Sequence, residues 1–330
     1  MPKTINNDII STLSLRSKNV KRALIIIAIA VLSLYVVLPR LKIFGLKGSL
    51  TQPAHWSLAL AAGGVFLIAF VVSAISYKIL AFHHLKFWPL LAIQFGGVPL
   101  SLLLPAGLSN ISVNFLFVRA NKHSEIESGV ILGVNNLVGV IANLSLLAIM
   151  LVLFGFYPSE KSLYLRNQDW LYVALAAVIV VTVALIVLSR RITRLRNFLR
   201  QLINSLKEYR RKPSRLLGAY LCALIQTTST VTALWLMLSA FGISIYFPAV
   251  FLIFSFSVLI GTSLPTPGGL GGVEASLIAG ILAAHVTTST AAVAAVLAYR
   301  IMSYWVPLAL GVFALIIVQR KKLLKLDNGT

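Results

Sequence analysis

Apolar positions along this chain gather into long unbroken runs rather than the alternating or three-to-four-residue patterns of water-facing elements. Runs at 23–38, 56–81, 128–156, 169–189, 216–241 and 289–318 approach or exceed the roughly 20 residues that carry a helix across a bilayer core. The pattern predicts six transmembrane helices. The first run is the shortest, and Arg16, Lys18, Lys21 and Arg22 precede it like the basic region of a signal peptide. No convincing cleavage site follows, so the expectation is a retained first helix.

Two further stretches, 86–118 and 248–284, are too long for one span and are broken in the middle. The first break reads Leu104-Pro105-Ala106-Gly107-Leu108. The second reads Leu264-Pro265-Thr266-Pro267-Gly268-Gly269-Leu270-Gly271-Gly272. Proline lacks an N–H and glycine is costly in a helix, so no straight helix runs through either. Irregular backbone at membrane depth survives only when packed in protein or lining a wet cavity. The expectation is two re-entrant helical hairpins. Interrupted segments at corresponding places in two halves point to inverted repeats around a midplane site.

Charge supports this topology. Segment 190–215 holds ten Lys/Arg against one Glu and is expected on the cytoplasmic side. Counting outward from it, both termini lie inside, hairpin 86–118 begins and ends inside, and hairpin 248–284 begins and ends outside. Inside segments then hold 5+2+2+10+4 = 23 basic residues and outside segments 3+2 = 5, leaving Arg300 within the membrane. The expected organisation is a basic N-terminus (1–22), one transmembrane domain (23–318) and a cytoplasmic tail (319–330). Segment 190–215 also alternates Arg and Lys with Ile192, Leu195, Phe198, Leu199, Leu202, Ile203 and Leu206. That spacing fits an amphipathic helix on an anionic leaflet.

Composition agrees. Hydrophobic residues make up 58% of the chain and charged residues 11%, against roughly 25% charged in soluble domains. The class is an all-α polytopic membrane protein. The net charge of +21 would suggest nucleic acid in a soluble protein. Here the excess lies beside apolar runs and reads as topology and lipid attraction, with no nucleic-acid partner expected. The lone Cys222 leaves no intrachain disulfide or cysteine metal site. No metal or cofactor is expected: His83 and His84 are adjacent at a membrane edge, His55, His123 and His285 are scattered, and none has metal-ligand company.

Two formal charges remain at membrane depth, where each costs about 3 kcal/mol or more. Arg300 lies twelve residues into the last run, about 18 Å at 1.5 Å per residue. Its guanidinium suits a phosphate or carboxylate. A structural ion pair with Glu274 is the plainer reading, and the two are compatible. Glu274 stands at the start of the half-helix after the second break. It reads as a first-turn carboxylate favoured by the helix dipole, as a gate on Arg300, or as a proton-coupled group. The glycines Gly268, Gly269, Gly271 and Gly272, with Pro265, permit close backbone approach, and free N–H groups at a half-helix start suit an anion. Polar side chains recur at Asn110 and Asn114 beside the first break, at Asn135, Asn136 and Asn143, and at Gln226, Thr227, Thr228, Ser229, Thr230 and Thr232. They read either as interhelical hydrogen bonding or as a path for a headgroup or sugar. No Ser/His/Asp grouping, Walker loop or pair of membrane carboxylates occurs, so an enzyme is disfavoured.

The run from Leu264 to Ala275, followed by Ala298-Tyr-Arg-Ile-Met-Ser-Tyr-Trp-Val-Pro-Leu-Ala-Leu-Gly311, resembles the lysylphosphatidylglycerol synthase transmembrane, flippase-like family. The resemblance covers about 20–320. It implies a multi-pass protein of a bacterial or archaeal plasma membrane that moves lipids or lipid-linked precursors between leaflets. It places Gly268, Gly269, Gly271, Glu274 and Arg300 on family motif positions. In the first half, Ser109-Asn110 and Asn114 stand where the family often carries Gly-Gly/Glu and Arg. Asn135 and Asn136 stand where it often carries charges. Only the second half keeps charged motif residues. The family's soluble aminoacyl-transferase domain does not follow, so lysyl-lipid synthesis is not expected. The leading expectation is a flippase for an anionic phospholipid or a polyprenyl-phosphate-linked precursor. The alternatives are a membrane accessory of an envelope glycosyltransferase and an integral-membrane transferase using Glu274.

Overall fold

The computed structural model describes residues 55–101, 108–155, 209, 212–263 and 270–320. The runs 23–38 and 169–189, the terminal segments 1–22 and 321–330, and most of 190–215 lie outside them. The described chain is helical, with no strand. Its helices are α1 (Trp56–Leu80), α2 (Phe87–Leu100), α3 (Leu108–Ala120), α4 (Glu125–Gly155), α5 (Pro213–Ala240), α6 (Phe247–Ser263), α7 (Gly272–Ala283), α8 (Ser289–Arg300) and α9 (Val306–Arg320).

Among the described residues, four stretches are long and apolar enough to span: Trp56–Leu80, Glu125–Leu153, Pro213–Ala240 and Ser289–Val318. Even the 25 residues of α1 rise about 38 Å, more than the roughly 30 Å core. Both broken stretches divide into short helices. At 14 and 13 residues, α2 and α3 each rise only about 20 Å, and neither crosses alone. The pairs α2–α3 and α6–α7 pack against each other as hairpins.

The last run is the expected span but is not α-helical throughout. Between α8 and α9, residues Ile301–Trp305 form a π-helical turn. Pro307 explains it. Its missing N–H leaves the Ser303 carbonyl without its ordinary partner, and its ring crowds that carbonyl. A one-residue widening of the helix relieves both, and such π turns recur at functional sites.

Helix α1 runs along α5, α2 lies on α9, and α6 lies on both α7 and α4. One core gathers Phe66, Leu234, Leu238, Phe251, Leu277, Val296 and Tyr299 between α1, α5, α6, α7 and α8. A second gathers Leu80, Leu90, Ile93, Phe117, Ile131 and Tyr209 around the first hairpin. Gly261 makes the second hairpin possible: a Cβ there would sit 2.6 Å from the backbone of Val273. The outer faces carry Leu60, Leu67, Ile68, Leu217, Leu221, Ile225, Phe313 and Ile317, all exposed, while Ser76, Gln94, Asn114 and Ser229 are buried. An apolar outside around a partly polar inside is what lipid selects and water penalises.

Candidate functional site

The site forms where the second break meets the π turn. Gly271 has φ +85°, a conformation costly for other residues, and starts α7 as its N-cap. A glycine has no side chain to cap with, so the reciprocal half of the cap is made by Glu274, whose Oε2 accepts the Gly271 N–H at 2.8 Å. Its other oxygen, Oε1, accepts from Arg300 Nε at 2.6 Å. Both side chains are nearly buried, at 11% exposed for Arg300 and 15% for Glu274. The expected pair is therefore present, and Glu274 ties the start of α7 to the end of α8.

The carboxylate does not satisfy the guanidinium. Arg300 Nη2 is buried and, among the described residues, has no hydrogen-bond partner. An orphaned buried donor costs about 1–3 kcal/mol, more when charged, so a charged donor held open invites an acceptor. Tyr304, one turn further along the π segment, places its ring under the guanidinium, 5.0 Å from Cζ to centroid. Its hydroxyl lies 3.4 Å from Ser101 Oγ at the end of α2. Tyr304 also packs with Leu308, Val98, Trp305 and Leu270. The last residues before the first break and Leu270 of the second thus converge on one tyrosine.

Other candidates fall elsewhere. Gly272 is buried at the start of α7, while Pro265, Gly268 and Gly269 lie outside the described residues. Asn114 belongs to a separate buried network in the first hairpin. Ser73 Oγ donates to Gln94 Oε1 at 3.0 Å, Gln94 Nε2 donates to Asn114 Oδ1 at 2.8 Å, and Asn114 Nδ2 donates to the Asn110 carbonyl at 2.8 Å. Asn110 is exposed beside Gly97. Asn136 and Asn143 are exposed, whereas neighbouring Asn135 accepts from Ser76 Oγ at 2.7 Å. Thr228 is half-buried in α5, and its neighbour Ser229 is buried.

Sequence reasoning passed over Tyr304, Ser101, Gln94 and Ser73. Tyr304 follows Arg300 by four residues, which places both on one helical face. Gln94 carries the only amide in α2. Among the described residues, no group of three or more His, Cys, Asp or Glu could hold a metal.

A helical bundle of apolar exterior, two short-helix hairpins and a buried ion pair at a helix break defines an integral membrane protein with a polar interior site. The family described as "Lysylphosphatidylglycerol synthase TM region" matches residues 23–311, and the chain belongs to it. No curated protein matches the chain.

Proposed function

We propose that this protein translocates an anionic phospholipid or a polyprenyl-phosphate-linked precursor across the plasma membrane, with Arg300 holding the phosphate. One observation carries the reading: beside the Glu274 bond, Arg300 keeps Nη2 buried and, among the described residues, unpartnered. A phosphate oxygen suits that donor, and the planar guanidinium suits bidentate recognition. Glu274 holds Arg300 when no substrate is bound and gives way when a phosphate arrives. The Gly271–Gly272 turn and Tyr304 line the site.

The packing supports alternating access through inverted repeats. The first arm of each hairpin lies on the helix that follows the other hairpin, α2 on α9 and α6 on α4. Helices α1 and α5, which precede the two hairpins, pack along each other. Exchanging the halves maps these pairings onto themselves, as two repeats about a pseudo-twofold axis would. In this reading both hairpins are re-entrant and both termini are cytoplasmic. A transferase using Glu274 as its base is less well supported, because Gly271 N–H and Arg300 Nε occupy both carboxylate oxygens.

The test is translocation of a fluorescent anionic lipid in proteoliposomes, read by accessibility to a membrane-impermeant quencher. Wild type moves the lipid, Arg300→Ala does not, and Arg300→Lys retains a fraction. Unchanged translocation by properly inserted Arg300→Ala refutes the site.

A further inference from the structure

The first hairpin is closed at its open end by a histidine that only its neutral form can satisfy. His123 lies in the turn between α3 and α4 and is buried at 4% exposure. Its Nδ1 faces two carbonyl oxygens, Val118 at 3.1 Å and Asn121 at 3.0 Å, so Nδ1 carries the hydrogen. Its Nε2 lies 3.1 Å from the backbone nitrogen of His83 and accepts that N–H. His83 sits in the connection between α1 and α2. This one side chain therefore joins the residues that lead into the hairpin to those that leave it.

We propose that His123 is a proton-operated clasp on the first hairpin. A proton on Nε2 would point one N–H at another, break the bond to His83 and place a charge in a buried site. The two ends of the hairpin then separate. Burial holds the His123 imidazole below its ordinary value, ahead of an opposing contribution from the Asn121 carbonyl. The charge of His83 adds to the lowering, and the carboxylate of Glu127 counters it. The surrounding elements place the other charged groups. His83, His84 and Lys86 lie on the α1–α2 connection, and Arg119 and Glu125 pair across the turn. Lys122 sits in the turn at φ 65°, and Arg215 donates to the Ala81 carbonyl at 3.0 Å.

Glu127 Oε1 lies 3.9 Å from Nε2 of the exposed His83 side chain, on the α4 side of the contact. A proton on His123 Nε2 therefore removes the acceptor for the His83 backbone N–H. A depressed pKa in the folded state means that the clasp is intact above the ordinary histidine value of about 6.5 and is lost as pH falls through the depressed one.

The experiment is double electron–electron resonance on the full chain in nanodiscs, with spin labels at Trp88→Cys and Ile126→Cys. Both positions are strongly exposed near the two ends, and Cys222 is replaced by alanine. At about pH 8 one short distance is expected. As pH falls below the ordinary histidine value of about 6.5, a longer population appears, its ratio to the short one rising up to tenfold per pH unit, the limit for one linked proton. His123→Gln keeps an acceptor that cannot charge, and stays short throughout. His123→Lys shows the long distance at about pH 8. If that variant does not fold, the wild-type titration and His123→Gln still decide. A wild-type distance unchanged down to about pH 4.5, or a His123→Gln protein that still responds, overturns the clasp. So does nitrogen NMR placing the neutral proton of His123 on Nε2.

Discussion

Removing one member of the Glu274–Arg300 pair should cost far more than removing both. Glu274→Gln keeps an oxygen for the Gly271 N–H but takes the counter-charge from a guanidinium that is 11% exposed. Breaking a buried pair from one side costs about 3–5 kcal/mol, because the remaining charge is uncompensated. That is roughly a hundred- to several-thousand-fold in the folding equilibrium. For a chain of this size it lowers Tm by something on the order of 5–15 °C. Arg300→Met should cost about the same, since it orphans a carboxylate that is 15% exposed. The double variant Glu274→Gln/Arg300→Met should lie within about 2 kcal/mol of wild type, as removing both charges leaves neither uncompensated. The assay is thermal unfolding in nanodiscs of zwitterionic lipid, read as a double-mutant cycle with a coupling energy of at least about 4 kcal/mol. In anionic lipid the Glu274→Gln deficit should shrink, because a phosphate can take the carboxylate's place on Arg300. Additive single effects, or a deficit indifferent to lipid charge, would refute the reasoning.

Three further outcomes follow from the packing. Gly261→Val should destabilise by about 1–3 kcal/mol, because its side chain would be forced against the Val273 backbone, and thermal unfolding reads the loss. Gln94→Leu should cost about 1–3 kcal/mol by leaving Asn114 without its donor, and Asn114→Leu added to it should recover part of that loss; a purely additive pair argues against the network. Pro307→Ala should let the π turn relax towards α-helix, displace Tyr304 from under Arg300 and reduce anionic-lipid retention severalfold, with Tm unchanged or higher; unchanged retention counts against the π turn as a site element.

The spans were legible because a bilayer imposes a length and a hydropathy that soluble folds do not. Runs 56–81, 128–156 and 216–241 correspond to α1, α4 and α5 within a few residues. The two broken stretches were legible through proline and glycine, whose backbone chemistry is local. The Glu274–Arg300 pair followed from the scarcity of intramembrane charge. What failed to show was rotational. Asn135 and Asn136 differ by about 100° around their helix, and the apolar pattern of α4 does not reveal which one meets Ser76. The π turn was hidden for a related reason. Pro307 was visible, but whether a helix answers a proline by stopping, kinking or widening depends on what packs around it. The His123 clasp depends on the folded approach of two connections forty residues apart, and no local pattern encodes that.

The most direct measurement of the central claim is native mass spectrometry of gently purified protein, comparing wild type with Arg300→Ala. Wild type should retain a defined anionic or polyprenyl-phosphate lipid that Arg300→Ala loses, while both retain the same neutral lipids. Identical lipid retention by the two proteins would contradict the account and leave Arg300 as the structural partner of Glu274 alone.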